Sequence, residues 1–560
     1  MFFQEYNDRK PFYQNKNTYN YTDCKINPTL YHSFNLESKN AIILAAGLGM
    51  RMIPINSEIS KGLLVVNNQT LIENIILKLK ENNINNIYIV VGYMKEQYEW
   101  LIGKYNVHLI INNKYRETNS CYSLYLARNY LDNSYIIPCD IYLGENIFNE
   151  HECSSWYLFD GTREILTNYK VTKTGFIELV KKMELGKYPL GIAYINHEDS
   201  MKLKEMITHI DKDLYQTKYY YWENILFENN INLHALYSYK CFEINTFEDL
   251  RNIDSNSSSL KSEIIDIIKK SLNIDITQIK NIIVSKKGMT NRSFLFETDK
   301  GKYIMRIPGE GTDQLINRHE EGVVYQVIHD YHIADEVIYF NKDNGYKLTE
   351  FIPDSRVCDS SNDNDLMKCM RFLKNFHGLE LKVDHYFDIF DKIEFYEKLR
   401  KNSDSLYDDY RQTKRKVYEL KTIIDKLPKH IVLTHIDAVP DNFLIYKDND
   451  EEKIKLIDWE YASMQDSDVD IAMFCIYSMY NKEQCDHLID IYYENQCSVT
   501  TRLKIYCYIA ICGFLWSNWC EYKYSLGVEF GEYSLAQYRY AKDFYKYVKE
   551  YMEVNRTCLQ

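Results

Sequence analysis

The sequence predicts an α/β chain in two folded parts. The first is built on a mainly parallel sheet, and the second is a small sheet-bearing lobe running into a mostly helical one. Three observations predict this. Short apolar strands alternate with helical periods up to about residue 138, the serine-rich stretch Asp254–Ser259 interrupts the pattern, and the pattern then restarts as strands followed by long helical runs. Alternating strand and helix argues a parallel sheet, and 560 residues exceed what one core carries.

The apolar run from Ala41 to Ala45 reads as a buried strand that breaks into a loop at Gly47 and Gly49, where backbone must come close to a neighbour or a ligand. Arg51 and Lys61 bring two cations to that loop. Backbone N–H groups in a glycine-rich turn, with fixed positive charge beside them, suit a nucleoside triphosphate. Apolar residues at 71, 72, 75, 76 and 79 predict a helix over 71–82, and 87–92 predicts a second buried strand. Strand-like runs follow at 108–111 and 135–138, with a helix at 121–131 between them. Ligands of such sheets bind beyond the C-terminal ends of the strands, where Gly47 and Asp140 fall.

The organisation expected is a lead over 1–39, a first domain over 40–254, a linker over 255–262 and a second domain over 263–557. The second opens with an amphipathic helix near 260–272 and strands at 279–285, 293–298 and 302–307. From about 366 the reading is helical, broken by short strands at 431–433, 443–446 and 454–457, the layout of a protein-kinase-like phosphotransferase.

A net charge of −13 argues against nucleic acid or an anionic membrane as partner and sits easily with a cationic substrate. Fourteen cysteines stand singly with no Cys-x-x-Cys pair, which favours reduced thiols in the cytoplasm. The apolar stretch 505–516 falls short of the roughly 20 residues that span a bilayer and reads as a buried helix. Small-molecule substrates are therefore expected, with the oligomeric state left open.

Leu44-Ala-Ala-Gly47-x-Gly49-x-Arg51, with Pro54 and Lys61, resembles the signature of the nucleotidyltransferases that activate sugar phosphates and choline phosphate. The continuation through Lys61-Gly-Leu-Leu64 looks most like the phosphocholine cytidylyltransferases, with Ser60 where proline is usual. The resemblance implies a Rossmann-like domain in which Leu44, Ala45, Ala46, Gly47, Gly49 and Arg51 line the nucleotide. Arg51 and Lys61 would neutralise phosphate charge, and Asp140 would bind Mg²⁺. The family's second metal ligand falls in Glu243-Ile-Asn245, where asparagine replaces aspartate, so either Asn245 or Glu243 fills it. Trp156 reads equally as core or as a contact to a quaternary ammonium group.

His435-x-Asp437, Asn442 five residues on, and Asp458 in Ile457-Asp-Trp-Glu-Tyr461 resemble the catalytic loop and metal-binding aspartate of kinases. Asp437 would accept the substrate hydroxyl proton, while Asn442 and Asp458 hold Mg²⁺. The segment Gly288–Phe294 would be the nucleotide loop, with Asn291 touching nucleotide, and Arg306 would take the strand-lysine position with Glu320 as its helix partner. These features are similar to the choline and ethanolamine kinases. Trp516 and Trp519 share a helix face at i and i+3 and match that branch, implying with Tyr461 an aromatic cage for choline. Tyr477 stands where animal-type choline kinases carry a substrate-binding glutamate.

The resemblance thus implies a fused enzyme that makes phosphocholine from ATP and choline, then CDP-choline and pyrophosphate from CTP and phosphocholine. Three alternatives use the same scaffolds: a sugar-phosphate nucleotidyltransferase fused to a sugar or aminoglycoside kinase, an ethanolamine or aminophosphonate version, and a non-catalytic regulator.

Overall fold

The computed structural model describes residues 39–55, 59–152, 154–210, 220–228, 231–284, 291–309, 315–400, 404–449 and 451–557. The lead up to residue 38 and the loop segment 285–290 lie outside these. Two compact units are present: one holds the chain up to Gly47 and Ile72–Phe242, the other Leu48–Leu71 and everything from Glu243.

In the first unit, β1 (Asn40–Ala45), β2 (Asn86–Val91), β3 (His108–Ile111), β4 (Ser134–Pro138), β5 (Trp156–Val171), β6 (Ile177–Ile195) and β7 (His234–Ser238) make one sheet in the order β7-β5-β6-β4-β1-β2-β3. The strands β3, β2, β1 and β4 run parallel, as do β5 and β7, while β6 is antiparallel to both its neighbours. Ala41, Ile42 and Ile43 are fully buried. A strand covered on both faces reads as a continuous apolar run rather than an alternation. Leu44 pairs with Pro138, and the Cys139 N–H donates to Leu44 O at 3.1 Å, so the chain leaves β1 and β4 at the same sheet edge. Gly47 and Asp140 therefore emerge side by side in the sequence of turns above this edge, as the strand pattern predicts. The helix Leu71–Glu81 buries Leu71, Ile72, Ile75, Ile76 and Leu79, the five positions of its period.

The β5–β6 ribbon is the element that periodicity does not reveal. Beyond Asp160 and before Ala193 the two strands pair only with each other, and Leu166, Met183 and Leu185 on them are exposed. Most of this stretch is exposed or partly exposed, and its buried residues, Thr167, Tyr169, Leu190 and Ile192 among them, are too scattered to imprint a continuous alternation.

In the second unit, β8 (Lys280–Val284), β9 (Asn291–Thr298), β10 (Gly301–Pro308), β11 (Val337–Phe340) and β12 (Lys347–Glu350) form an antiparallel sheet in the order β8-β9-β10-β12-β11. A helical lobe follows, centred on the helix Val499–Ser525, whose residues from Leu503 to Lys523 are all buried. A helix apolar around its whole circumference needs neighbours on every side. Among the described residues no helix is long and apolar enough to cross a membrane.

Residues 255–262, expected as a linker, include a short 3₁₀ turn tied to the loop around Val65. The Val65 N–H donates to Ser259 Oγ at 2.9 Å, Ser257 Oγ donates to Val65 O at 2.5 Å, and the Asn67 N–H donates to Asp254 Oδ2 at 2.8 Å. Ser257 and Ser259 are buried. Losing a buried hydroxyl that bonds a backbone carbonyl costs about 1 kcal/mol. Ser257→Ala should lower stability by that amount in urea unfolding, whereas Ser258→Ala, at an exposed position, should leave the midpoint unchanged.

Candidate functional site

The kinase-type motif residues gather in the second unit around a cavity of 490 Å³. Its lining includes Arg306, Thr349, Glu350, Phe351 and Ile352, the motif residues Asp437, Asn442 and Asp458, and the aromatic residues Tyr461, Trp516 and Trp519.

Asp437 follows a strained turn. Ile436 sits in left-handed backbone, φ +69°, which a β-branched side chain rarely adopts. Asp470 holds it there: its Oδ2 accepts from the His435 N–H at 3.0 Å and its Oδ1 from the Ile436 N–H at 2.7 Å. Asp470 is itself fully buried against His377, whose Nε2 lies 3.0 Å from Oδ2. Burial pushes the His435 imidazole down to about 4, so it stays neutral, with Nε2 3.1 Å from Ile457 O. Asn442 donates from Nδ2 to Asp437 O at 2.9 Å and to Asp437 Oδ2 at 3.1 Å, fixing the carboxylate.

Desolvation and then the Asp458 carboxylate push Asp437 well above the ordinary carboxylate range. Desolvation, followed by Glu460, pushes Asp458 up to about 7. Two carboxylates that resist each other's ionisation are what a divalent cation relieves. Asp458 and the Asn442 side-chain carbonyl are hard oxygen donors of the kind Mg²⁺ takes, and Mg²⁺ sites usually complete their shell with substrate phosphates and water. Among the described residues no group of three His, Cys, Asp or Glu converges as a metal site.

Arg306, in the middle strand β10, is buried and forked onto Glu321: Nη1 reaches Oε1 at 2.6 Å and Nη2 reaches Oε2 at 3.0 Å. The expectation of Glu320 as partner is corrected by one residue. The helix Arg318–Ile328 turns Arg318, Glu321, Val324, Tyr325 and Ile328 inward. At 100° per residue, Glu320 falls off that face, and it stands partly exposed near Lys392. Although burial pushes the Glu321 carboxyl up, Arg306 holds it below the usual range. Arg318 completes the network with Glu321 Oε2 at 2.7 Å and Glu460 Oε2 at 3.0 Å. Asn291 begins β9, and its side chain, like residues 285–290 of the nucleotide loop, lies outside the described residues.

Tyr461, Trp516 and Trp519, expected as a cage, stand in ring contact with one another. Tyr461 and Trp516 meet edge to face at 5.9 Å, and Trp516 and Trp519 at 5.4 Å. Trp516 Nε1 donates to Met473 Sδ at 3.1 Å, while Lys523 Nζ lies 5.6 Å from the Trp519 ring. Sequence reasoning missed Tyr533 and Asp441, which also line the cavity. It noted Tyr477 only as a departure from a pattern.

The nucleotidyltransferase residues divide between the units. In the first, Leu44 and Ala45 end β1 and Ala46 follows it, Ala46 O accepts from the Tyr93 N–H at 3.2 Å, and Gly47 is exposed, with open space where a Cβ would stand. Asp140 follows β4, partly buried. In the second, Gly49 has φ +59° and lies against the Lys61 side chain, Arg51 is exposed, and Lys61 Nζ donates to Asn245 Oδ1 at 2.9 Å. Asn245 is buried, and its N–H donates to Asp249 Oδ2 at 3.1 Å, beside the capping box that Thr246 and Asp249 form at the start of the helix Phe247–Ile253. Glu243 ends a short strand, Cys241–Glu243. Trp156 is buried, pairs with Tyr194 across β6 and meets Tyr135 edge on at 6.0 Å, the surroundings of a packing residue.

The model of the MobA-like NTP transferase domain matches residues 41–150, and that of choline/ethanolamine kinase matches residues 281–511. Choline-phosphate cytidylyltransferase of Streptococcus pneumoniae is 35% identical over 229 residues, covering 38% of this chain and 96% of that protein. The chain belongs to the choline-phosphate cytidylyltransferase family. Its second half carries a choline/ethanolamine kinase domain. Protein LicA of Haemophilus influenzae is 27% identical to this half over 267 residues, 44% of this chain and 95% of that protein. A crystal structure of choline kinase LicA from Streptococcus pneumoniae is similar at a TM-score of 0.45 and 27% identity, covering 51% of this chain and 99% of that chain.

Removing one partner of a buried ion pair costs about 3–5 kcal/mol because the other charge is left uncompensated. In this cytidylyltransferase–kinase fusion, Glu321→Ala should lose stability on that scale in urea unfolding and strand Arg306. Glu320→Ala should shift the midpoint by less than about 0.5 kcal/mol.

Proposed function

We propose that the chain is a two-site cytoplasmic enzyme: its second half phosphorylates choline with ATP, and its first half transfers a cytidylyl group from CTP to the phosphocholine formed. The observation that carries the reading is the single cavity in which Asp437, Asn442 and Asp458 stand next to Tyr461, Trp516 and Trp519. A phosphotransfer group beside an aromatic cage suits a substrate whose reactive hydroxyl is tethered to a quaternary ammonium, because such a cation has no N–H to donate and is held by ring faces.

In the kinase half, the substrate hydroxyl attacks the γ-phosphorus of ATP, its proton passes to Asp437, and ADP leaves. Asp437 is aimed by Asn442 and by the Asp470 clamp. Arg306, neutralised in part by Glu321, faces the phosphates. Asn442 and Asp458 would hold Mg²⁺, which supplies positive charge to the phosphate oxygens when bound. The segment Thr349, Glu350, Phe351 and Ile352, which lines the cavity where β12 ends, would meet the base.

Cytidylyl transfer needs no protein nucleophile, since the phosphate of the acceptor is already an anion. Its oxygen attacks the α-phosphorus of CTP and pyrophosphate leaves. Alignment and charge neutralisation carry the rate, and Lys61 and Arg51 are the cations assigned to it. Asp140 would hold Mg²⁺, with Asn245 or Glu243 as second ligand. Asn245 already accepts from Lys61, which leaves its second carbonyl lone pair for the metal.

Because the two sets of residues are separate, each reaction should be broken alone. Asp437→Asn should abolish choline phosphorylation while CDP-choline still forms from supplied phosphocholine, and Asp140→Ala should do the reverse. Radiolabelled choline and phosphocholine as alternative substrates distinguish the two. Loss of both reactions in either folded variant would contradict the two-site reading.

A further inference from the structure

Among the carboxylates that line the cavity of the kinase half, Asp441 belongs neither to the phosphotransfer group nor to the ion network around Arg306. Asp441 lies in the short turn Pro440–Asn442, and its Oδ2 accepts a 2.6 Å hydrogen bond from the hydroxyl of Tyr477. The two residues are 36 apart in sequence and come from different elements, Tyr477 closing the helix Asp468–Tyr477. Both line the cavity together with Tyr533, whose ring meets that of Tyr477 edge on at 6.1 Å. The second aromatic pair thus continues the wall begun by Trp516 and Trp519. Asp441 lines the cavity as an exposed residue, and among the described residues no lysine or arginine forms an ion pair with it.

We propose, resting on the reading of this half as a choline kinase, that Asp441 is the anionic partner of the substrate's quaternary ammonium group and that Tyr477 is the positioning residue that aims it. A trimethylated nitrogen can be recognised only by ring faces and by charge. Rings alone leave the cation's charge poorly balanced once water is excluded, and a carboxylate at the rim supplies the balance. Tyr477 stands where a substrate-binding glutamate is expected from the animal-type choline kinases. Here that position is a tyrosine, which remains a neutral donor at physiological pH. It carries no charge itself but orients an aspartate from the facing turn, so the charge has moved from the helix to the loop while the pocket keeps its sign. The hydrogen bond engages one lone pair of Oδ2, and Oδ1 stays available to the ligand.

The test is steady-state kinetics of the full chain, with choline and ATP varied separately and folding checked by circular dichroism. Asp441→Asn should raise the choline KM about tenfold, equivalent to ~1.4 kcal/mol, with kcat and the ATP KM within about twofold of the parent. Tyr477→Phe should raise the choline KM about threefold and add nothing in the Asp441→Asn background, because the phenol acts only through the carboxylate. The double variant Asp441→Asn with Tyr477→Glu returns the charge to the helix and should recover most of the lost choline affinity. An unchanged choline KM in Asp441→Asn overturns the proposal, as does an equal rise in the ATP KM or the Mg²⁺ requirement, which would make Asp441 part of the metal site. Failure of the double variant to recover affinity overturns it too. A parent enzyme that phosphorylates no choline at all would instead remove the kinase reading on which the proposal rests.

Discussion

An isoleucine held in left-handed backbone fixes the phosphotransfer site. Ile436 would relax to ordinary φ at a gain of roughly 1–3 kcal/mol if nothing restrained it, and relaxation would swing Asp437 away from Asn442. The restraint is one buried carboxylate, Asp470, which takes the two adjacent N–H groups of His435 and Ile436 on its two oxygens. Charge-assisted bonds of this kind are about twice as strong as neutral ones, and the pair together offsets the strain. Asp470 is in turn held by His377, and His377 Nδ1 lies 2.7 Å from the Tyr492 hydroxyl. The Asp437 backbone is thus positioned by the helical lobe, while its side chain lines the cavity.

Charge balance is the second constraint on that cavity. Asp437, Asp458 and Glu460 line it together with Arg306 and Lys347, while the buried Glu321 and Arg318 tie Arg306 and Glu460 into one ion network. Arg306 is bound to Glu321 on one side and lies 3.7 Å from Asp458 on the other. Its position is fixed by these protein partners, which suits the phosphate-facing role proposed for it, since a charge held in place needs no rearrangement. The excess of acid over base is concentrated at Asp437 and Asp458, the two groups whose ionisation is suppressed. In the proposed reaction, that is where a metal and a cationic substrate would bring the missing positive charge.

Motif spacing made the centre of this site legible in the sequence. Asp437, Asn442 and Asp458 are tied by short loops, so their order along the chain carries their geometry. Trp516 and Trp519 are legible because a helix converts a spacing of three into a shared face. The sheet of the first unit was legible for a similar reason, since β1, β2 and β4 are buried on both faces and read as apolar runs. Glu321 was not, because choosing between adjacent glutamates requires the phase of a helix whose inward face is set by Arg318 and Tyr325. Asp470, Tyr477 and Asp441 act through contacts 34 to 36 residues apart, which no local pattern encodes. Ser257 and Ser259 look like linker composition, yet each finds a buried partner in a loop nearly two hundred residues earlier.

The most direct measurement is the identity of the product made by the purified chain from choline, ATP, CTP and Mg²⁺, followed by mass spectrometry with each component omitted in turn. The account predicts CDP-choline, with phosphocholine accumulating when CTP is withheld, and with the need for ATP removed when phosphocholine replaces choline. A chain that leaves choline untouched under these conditions, while turning over a sugar or an aminoglycoside in its place, would contradict it.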